Sequence, residues 1–346
     1  MPEDGNAKLL SVLGGKVEVP PPIWLMRQAG RYLPEYQAVR AKAGSFWTMC
    51  MTPELAAEVT LQPIERFGFD AAIIFSDILV VPFALGVDVT FDEGVGPRLK
   101  AIEDTKGLER EGAVWAQKLA PTYEALKRVR ARLDAGRALL GFAGAPWTLA
   151  TYLVGGGSST DQRAAKLWGY RNPEGFAALL DLIGDCVAQH LIAQLDAGAD
   201  AVQIFDSWAQ GLPEAAFFDW VVEPTKRIVD TVRKAKPAAK IIGFPRAATQ
   251  RGYEIYAGET GVDAVSVDTA VSPEWAAAVL GSDVVVQGNL DPIALIAGGA
   301  ALSDAVATIL AAMQGVPFIF NLGHGILPET PPEHVAQLVA QLRGKR

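Results

Sequence analysis

The chain has 346 residues, 50% of them apolar and 20% charged, a composition that buries a large core and excludes a disordered chain. Its 31 basic and 39 acidic residues give a formal net charge of −8. That balance argues against a general nucleic-acid or anionic-membrane binder and makes any local cluster of arginine more telling.

In chain order, short apolar β-branched runs alternate with longer amphipathic segments. The runs are Ile23–Met26, Ala71–Phe75, Ala138–Phe142, Ala201–Phe205, Lys240–Phe244, Ala264–Val267, Val284–Gln287 and Pro317–Phe320. They read as buried parallel strands, with Ile23–Met26 as an irregular eighth. The segments Glu174–Leu195 and Ser303–Met313 carry helical spacing. Pro213, Pro273, Pro292 and Pro332 stand near helix starts, where a missing N–H costs nothing. Strand followed by helix, repeated, predicts an α/β fold, a single (β/α)8 TIM-type barrel domain over residues 1–346 with its active site at the C-terminal ends of the strands. An open doubly wound sheet is the second architecture, weakened by the lack of a G-x-G-x-x-G after the first strand. No linker and no internal repeat beyond the alternation is read.

The N-terminus, MPEDGNAKLL, lacks the basic and apolar regions of a signal peptide, and no uninterrupted apolar run reaches the length of a membrane span. Cys50 and Cys186 lie far apart among apolar neighbours, in neither a Cys-x-x-Cys nor a His-x-Cys pair. They read as buried free thiols of a cytoplasmic protein.

Polar residues follow each run: Ser76-Asp77, Gly144 to Trp147, Asp206-Ser207-Trp208, Pro245-Arg246, Asp268-Thr269, Gly288 to Asp291 and Asn321 to Gly325. In a barrel this is the catalytic face. Asp206, Asp268 and Asp291 read equally well as helix caps. Arg27 and Arg31, four apart, would share one face of a helical turn and clamp a carboxylate through their planar forks, with Arg40 extending the pair. The plainer alternative is a solvated basic face partnered by Glu35. His190 and His334 read as structural. His324, in Leu-Gly-His-Gly, has glycines on both sides that let backbone approach a ligand closely.

The segments WLMRQAGRYLPEY, IIFSDILVVPFALG, FAGAPWTLATYLV, FDSWA and NLGHGILPETPPEHV resemble, in the same order, those of the uroporphyrinogen decarboxylases, from about Pro22 to Val335. The resemblance implies a distorted (β/α)8 barrel and a homodimer with facing clefts, with no nucleic-acid or membrane partner. It also implies an enzyme of tetrapyrrole biosynthesis that converts the four acetates of uroporphyrinogen III to methyls, giving coproporphyrinogen III, without a cofactor. Residue by residue, it assigns Arg27 and Arg31 to substrate carboxylates and the backbone of Gln28, Ala29 and Gly30 to the same pocket. Asp77 accepts the pyrrole N–H groups, and Tyr152, Ser207 and His324 touch substrate. Asp77, Arg27 and His324 are the catalytic candidates, with Arg27 and His324 both open as proton donor. Two departures concern loops: Val-Gly-Gly-Gly after Tyr152, where an acidic residue is common, and Ala247-Ala248, where a glycine is frequent.

The chemistry suits these groups. A pyrrole protonated at its α-carbon accepts the two electrons left by departing CO2, so no metal or organic cofactor is required, and a fixed carboxylate stabilises the cation formed. Two other readings are a zinc- or corrinoid-dependent methyltransferase, which lacks its Cys and His ligands here, and a non-catalytic tetrapyrrole carrier.

Overall fold

The computed structural model describes residues 7–92, 96–159 and 161–344. Among the described residues nine strands occur in chain order: β1 (Ala71–Ile73), β2 (Val89–Asp92), β3 (Gly96–Leu99), β4 (Ala138–Gly144), β5 (Ala201–Asp206), β6 (Lys240–Pro245), β7 (Ala264–Ser266), β8 (Val285–Leu290) and β9 (Phe318–Leu322). Seven form a parallel sheet in the order β1-β4-β5-β6-β7-β8-β9. This order follows the chain, as successive right-handed crossovers dictate. The antiparallel hairpin β2–β3 stands apart. It was not legible in the sequence, because its residues carry no apolar run.

The sheet curls until its two edges meet on one segment. Phe320 N donates to Pro22 O at 2.9 Å and Trp24 N to Phe320 O at 3.4 Å, while on the other side Asp70 N donates to Ile23 O at 2.9 Å. Ile23 forms a single parallel bridge with Phe320. The expected eighth strand is thus reduced to one bridging residue, since Pro20, Pro21 and Pro22 remove the donors a longer ladder needs. The architecture is the distorted barrel expected, not an open doubly wound sheet.

Alternate strand residues serve two cores. Leu139, Val202, Ile241 and Val265 pack outward against the helices. Leu140, Ile242, Ala264 and Ile319 pack inward with Trp24 and Met26. Deep inside, Gln287 accepts from Trp24 Nε1 (3.0 Å) and donates to Gln203 Oε1 (3.0 Å) and Ser266 Oγ (3.1 Å). A buried polar network of this kind is tolerable because most of its polar atoms find partners; Gln203 Nε2 finds none among the described residues.

A short repeat escaped the sequence reading. Gly68-Phe69-Asp70-Ala71, Gly198-Ala199-Asp200-Ala201 and Gly261-Val262-Asp263-Ala264 each precede a strand. The glycines have φ of 68°, 109° and 73°, a region that L side chains avoid. Each aspartate accepts a backbone N–H of the preceding place in the barrel: Asp70 from Ile23, Asp200 from Leu139 and Asp263 from Ile241, at 2.7–2.8 Å. The device pins the N-terminal rim.

The helix Pro173–Asp196 has 24 residues and is long and apolar enough to cross a membrane, yet 61% of its most apolar window is buried inside the protein. His190 lies on its buried side, with Nδ1 3.1 Å from the Tyr123 hydroxyl. Burial lowers the His190 pKa from 6.5 to about 3. Cys50 and Cys186 are free and buried, as the sequence predicts.

His190→Ala leaves a cavity and an orphaned Tyr123 hydroxyl. Urea unfolding at neutral pH should show a loss of about 2–4 kcal/mol. Between pH 6.5 and about 3 the unfolded chain binds a proton that native His190 refuses, so parent stability falls as pH falls through that window. The variant should lose this part of the pH dependence; an unchanged slope in its unfolding free energy would remove His190 as the cause.

Candidate active site

The C-terminal ends of the strands collect the polar residues expected there. Met26 N donates to Asn321 Oδ1 (3.0 Å) and Ile326 N to Met26 O (2.9 Å), which ties the closing segment to the loop after β9. The next residue is Arg27, whose φ is +62°. This left-handed backbone ends any helical run, so Arg27 and Arg31 lie in successive turns and the helix starts only at Pro34. The helical-face argument for the pair is therefore corrected. Their proximity survives, because Arg31 is among the cations that lower the Arg27 pKa. Both arginines are exposed to the open end of the barrel.

The Gln28 side chain is buried away from solvent. Its Oε1 accepts from Leu25 N and its Nε2 donates to Ala71 O, at 3.0 and 3.1 Å. Gln28 is fully buried and its own N–H is bonded to Leu25 O at 3.0 Å, so of the three residues expected to line the pocket only Ala29 and Gly30 keep partly exposed backbone. A Cβ on Gly30 would stand 2.8 Å from Arg27 O. The glycines around His324 have a related cause. A Cβ on Gly325 would lie 2.5 Å from Arg27 Cδ, and one on Gly323 2.3 Å from Thr269 N. Gly325 lets the Arg27 stem cross the loop that carries His324.

Asp77 follows β1 and is half-buried. Its Oδ1 accepts from Leu79 N at 2.8 Å; its Oδ2 has no hydrogen bond among the described residues. The carboxylate thus both fastens the loop and offers a free oxygen. Burial raises the Asp77 pKa, opposed by the Leu79 N–H and by Arg27. Tyr152, on the helix Pro146–Gly155, has its pKa raised by burial and also by Asp77, while Arg27 lowers it. Arg27, Asp77 and Tyr152 therefore share one electrostatic neighbourhood. His324 joins them: burial, then Arg246, then Arg27 lower its pKa to about 4, so the empty site holds it neutral at pH 7. Ser207 follows β5 beside Trp208, whose ring is 6.3 Å from that of Tyr152.

Sequence reasoning left Phe142 and Phe205 out of the site and placed Arg246 on the catalytic face without giving it a role. Phe142 and Phe205, edge-to-face at 5.6 Å, are partly exposed on top of the inner core and give the cleft an apolar floor. Arg246, half-buried after β6, reaches Arg27 and His324 electrostatically. A phenylalanine near the end of successive strands was the available signal for the first two.

Other candidates resolve as structural. Asp268 accepts from Ala247 N (2.7 Å), Ala270 N (2.8 Å) and Tyr253 Oη (2.8 Å), and Asp291 from Ile293 N (2.8 Å). Asp206 accepts from the Thr148 hydroxyl, and burial raises its pKa to about 7, opposed by the hydroxyl and the backbone N–H of Thr148 in the first turn of the helix Pro146–Gly155. Glu35 pairs with Arg66 at 3.0 Å, and Arg40 stacks over Phe46 at 5.4 Å, so neither joins Arg27 and Arg31. Both loop departures have physical readings. Gly156 is a left-handed cap at φ 71° whose carbonyl accepts from Leu99 N, and Ala247 stands at φ +59°, where glycine would be unstrained.

Among the described residues no group of three or more His, Cys, Asp or Glu is placed to hold a metal ion. The arrangement is instead suited to a polyanion with N–H donors: unpaired cations around one free carboxylate oxygen, over an aromatic floor.

Comparison with known proteins gives the family. The family model described as uroporphyrinogen decarboxylase (URO-D) matches residues 4–344. A uroporphyrinogen decarboxylase of Chelativorans sp. is 53% identical over 339 residues, 98% of each chain. That of Rhodospirillum rubrum is 48% identical over 347 residues, 100% of this chain and 99% of the relative. Among solved structures, a methyltransferase from Methanosarcina mazei superposes with a TM-score of 0.81 at 20% identity over 97% of both chains, a likeness of fold. The chain belongs to the uroporphyrinogen decarboxylase family.

Proposed function

We propose that the protein decarboxylates the four acetate side chains of uroporphyrinogen III to methyls, yielding coproporphyrinogen III. The observation that carries this reading is the set Arg27, Arg31, Asp77, Tyr152 and His324 at one barrel mouth in a chain 53% identical to a named uroporphyrinogen decarboxylase. By family resemblance the working form is a cytoplasmic homodimer that binds neither nucleic acid nor membrane.

The substrate carries eight carboxylates. Arg27 and Arg31 make no ion pair among the described residues and bind them through their guanidinium forks. Asp77 Oδ2 accepts the pyrrole N–H groups. A proton added to the α-carbon of one pyrrole makes that ring cationic. The bond between the acetate methylene and its carboxylate then breaks, CO2 leaves, and the electron pair neutralises the ring as an exocyclic C=C. Protonation of that methylene and loss of the α-proton give the methyl group. Each turn consumes one proton and releases one CO2. The Asp77 charge opposes the transient cation. Burial holds the empty-site Asp77 towards its neutral form; N–H donors and ring charge draw it back to the carboxylate. The proton comes from the Arg27–His324 pair. His324 is neutral in the empty site because burial, and after it Arg246 and Arg27, disfavour its charge, and incoming carboxylates raise its proton affinity.

Purified protein should release CO2 from uroporphyrinogen with no added cofactor, and equally after exhaustive chelation. Activity that disappears on chelation and returns with a divalent metal would overturn the cofactor-free route.

Arg27→Ala and Arg31→Ala should each lower kcat/KM about 10- to 100-fold, the worth of a charge-assisted bond, with little change in Tm. A variant that simply fails to fold assigns its arginine to the fold instead.

Asp77→Asn keeps an Oδ1 for Leu79 N and removes only the charge. Turnover should fall about a hundredfold or more while Tm stays near the parent's. A folded Asp77→Asn enzyme turning over at the parent rate would take Asp77 out of the mechanism.

A further inference from the structure

Arg246 stands on the barrel rim opposite Arg27. Counting round the barrel from the closing segment Pro22–Met26, the order is β1, β4, β5, then β6. This places β6 four positions away, diametrically across eight places. Arg246 follows β6 directly, with its N–H donated to Asp206 O at 3.0 Å. Its Nη1 donates to Ser207 O at 3.2 Å, which leans the side chain towards the β5 loop and its substrate-facing Ser207. A guanidinium has five N–H donors, and this is the one bond Arg246 makes among the described residues. It has no carboxylate partner within ion-pair distance there.

The backbone beside it is held under strain. Ala247 keeps φ at +59°, about 1–2 kcal/mol above a right-handed conformation for an L residue. The Asp268 carboxylate holds its N–H at 2.7 Å and is itself locked by Tyr253 Oη at 2.8 Å. Strain fixed in this way at a strand end orients a functional side chain. Arg27, at φ +62°, shows the same feature across the mouth of the barrel. Arg246 also lies close enough to Arg27 and His324 to disfavour their charged forms. The two guanidiniums repel, and His324 stays neutral, until an anion sits among them.

We infer that Arg246 is a second carboxylate-binding point, taking an acidic side chain on the edge of the macrocycle opposite the one held by Arg31. The inference rests on the substrate reading above. Cations on opposite sides of the C-terminal rim seat a flat polyanion across the mouth of the barrel, and the seat is needed anew for each acetate that is presented.

The test compares parent, Arg246→Gln and Arg246→Lys, using uroporphyrin, the oxidised and unreactive octacarboxylate, as the fluorescent probe. Arg246→Gln should bind about 10-fold or more weakly, with a shallower salt dependence. Arg246→Lys, which keeps the charge but not the fork, should lie between Gln and parent. With uroporphyrinogen as substrate, Arg246→Gln should raise KM more than it lowers kcat and should release partly decarboxylated intermediates. A folded Gln variant within about twofold of the parent in both affinity and salt dependence overturns the inference. So does a Gln variant that does not fold while Lys does not restore binding, since Arg246 would then serve Ser207 alone. Failure of the substrate reading looks different: the parent itself would release no CO2 from uroporphyrinogen.

Discussion

Closure of the barrel on the segment Pro22–Met26 is the constraint from which the site follows. Two backbone bonds to Phe320 and one from Asp70 hold the segment, and the Asp70 carboxylate adds a bond to Ile23 N. Met26 is fastened on both sides, to Asn321 and Ile326. Arg27 is the first residue past this anchor. A regular eighth strand would present its residues alternately inward and outward. A single bridge followed by a left-handed turn instead swings the chain over the mouth. Gly325 then has to be glycine, because the Arg27 stem occupies the space of its Cβ. The resemblance motifs RQAGRY and GHG are two halves of one packing contact, almost 300 residues apart in the chain.

The electrostatics of the site are incomplete without a ligand. Arg27, Arg31 and Arg246 face one another with Asp77 as the nearby carboxylate, and none has an ion pair among the described residues. An acidic chain with a net charge of −8 has many carboxylates to spare; it keeps them elsewhere, as in Glu35 with Arg66 and Glu54 with Arg128. The cost of leaving cations unpaired is limited because Arg27 and Arg31 remain exposed to water in the empty cleft. On the proposed reading, a bound polyanion would supply the missing charge and expel that water, so that each contact strengthens as the site dries.

The architecture and the centre of the site were legible because both rest on local signals. Apolar runs mark the strands to within a few residues, and each strand end delivers its polar residue to one face. What stayed hidden depended on three-dimensional neighbours. The hairpin β2–β3 has no apolar run, and its support is Gly156 and Gly157 on another element. The helical turn expected for Arg27 and Arg31 failed because a tertiary anchor holds Arg27 left-handed. Asp268 and Asp206 look alike in sequence, each following an apolar run. One caps loops, while the other is buried against the Thr148 hydroxyl. The Gly-x-Asp-Ala repeat was in plain view, but its meaning lies in bonds to the neighbouring strand, which composition does not reveal.

The two rims also divide the labour of the barrel. On the N-terminal rim, Asp70, Asp200 and Asp263 spend their charge on backbone N–H groups of the adjacent place, with Arg343, Arg130, Arg233 and Lys240 as partners. Those carboxylates are saturated and serve stability. On the C-terminal rim, Asp77 uses one oxygen for the same purpose and leaves the other free. That difference follows from where the N–H groups run out. At a strand's start the neighbouring backbone still offers a donor, whereas past its end the chain turns away and the next available donor is Leu79. A carboxylate oxygen left without a hydrogen bond from the protein adds little to the fold and is free for a ligand, and here the C-terminal end of a parallel strand supplies one beside Arg27.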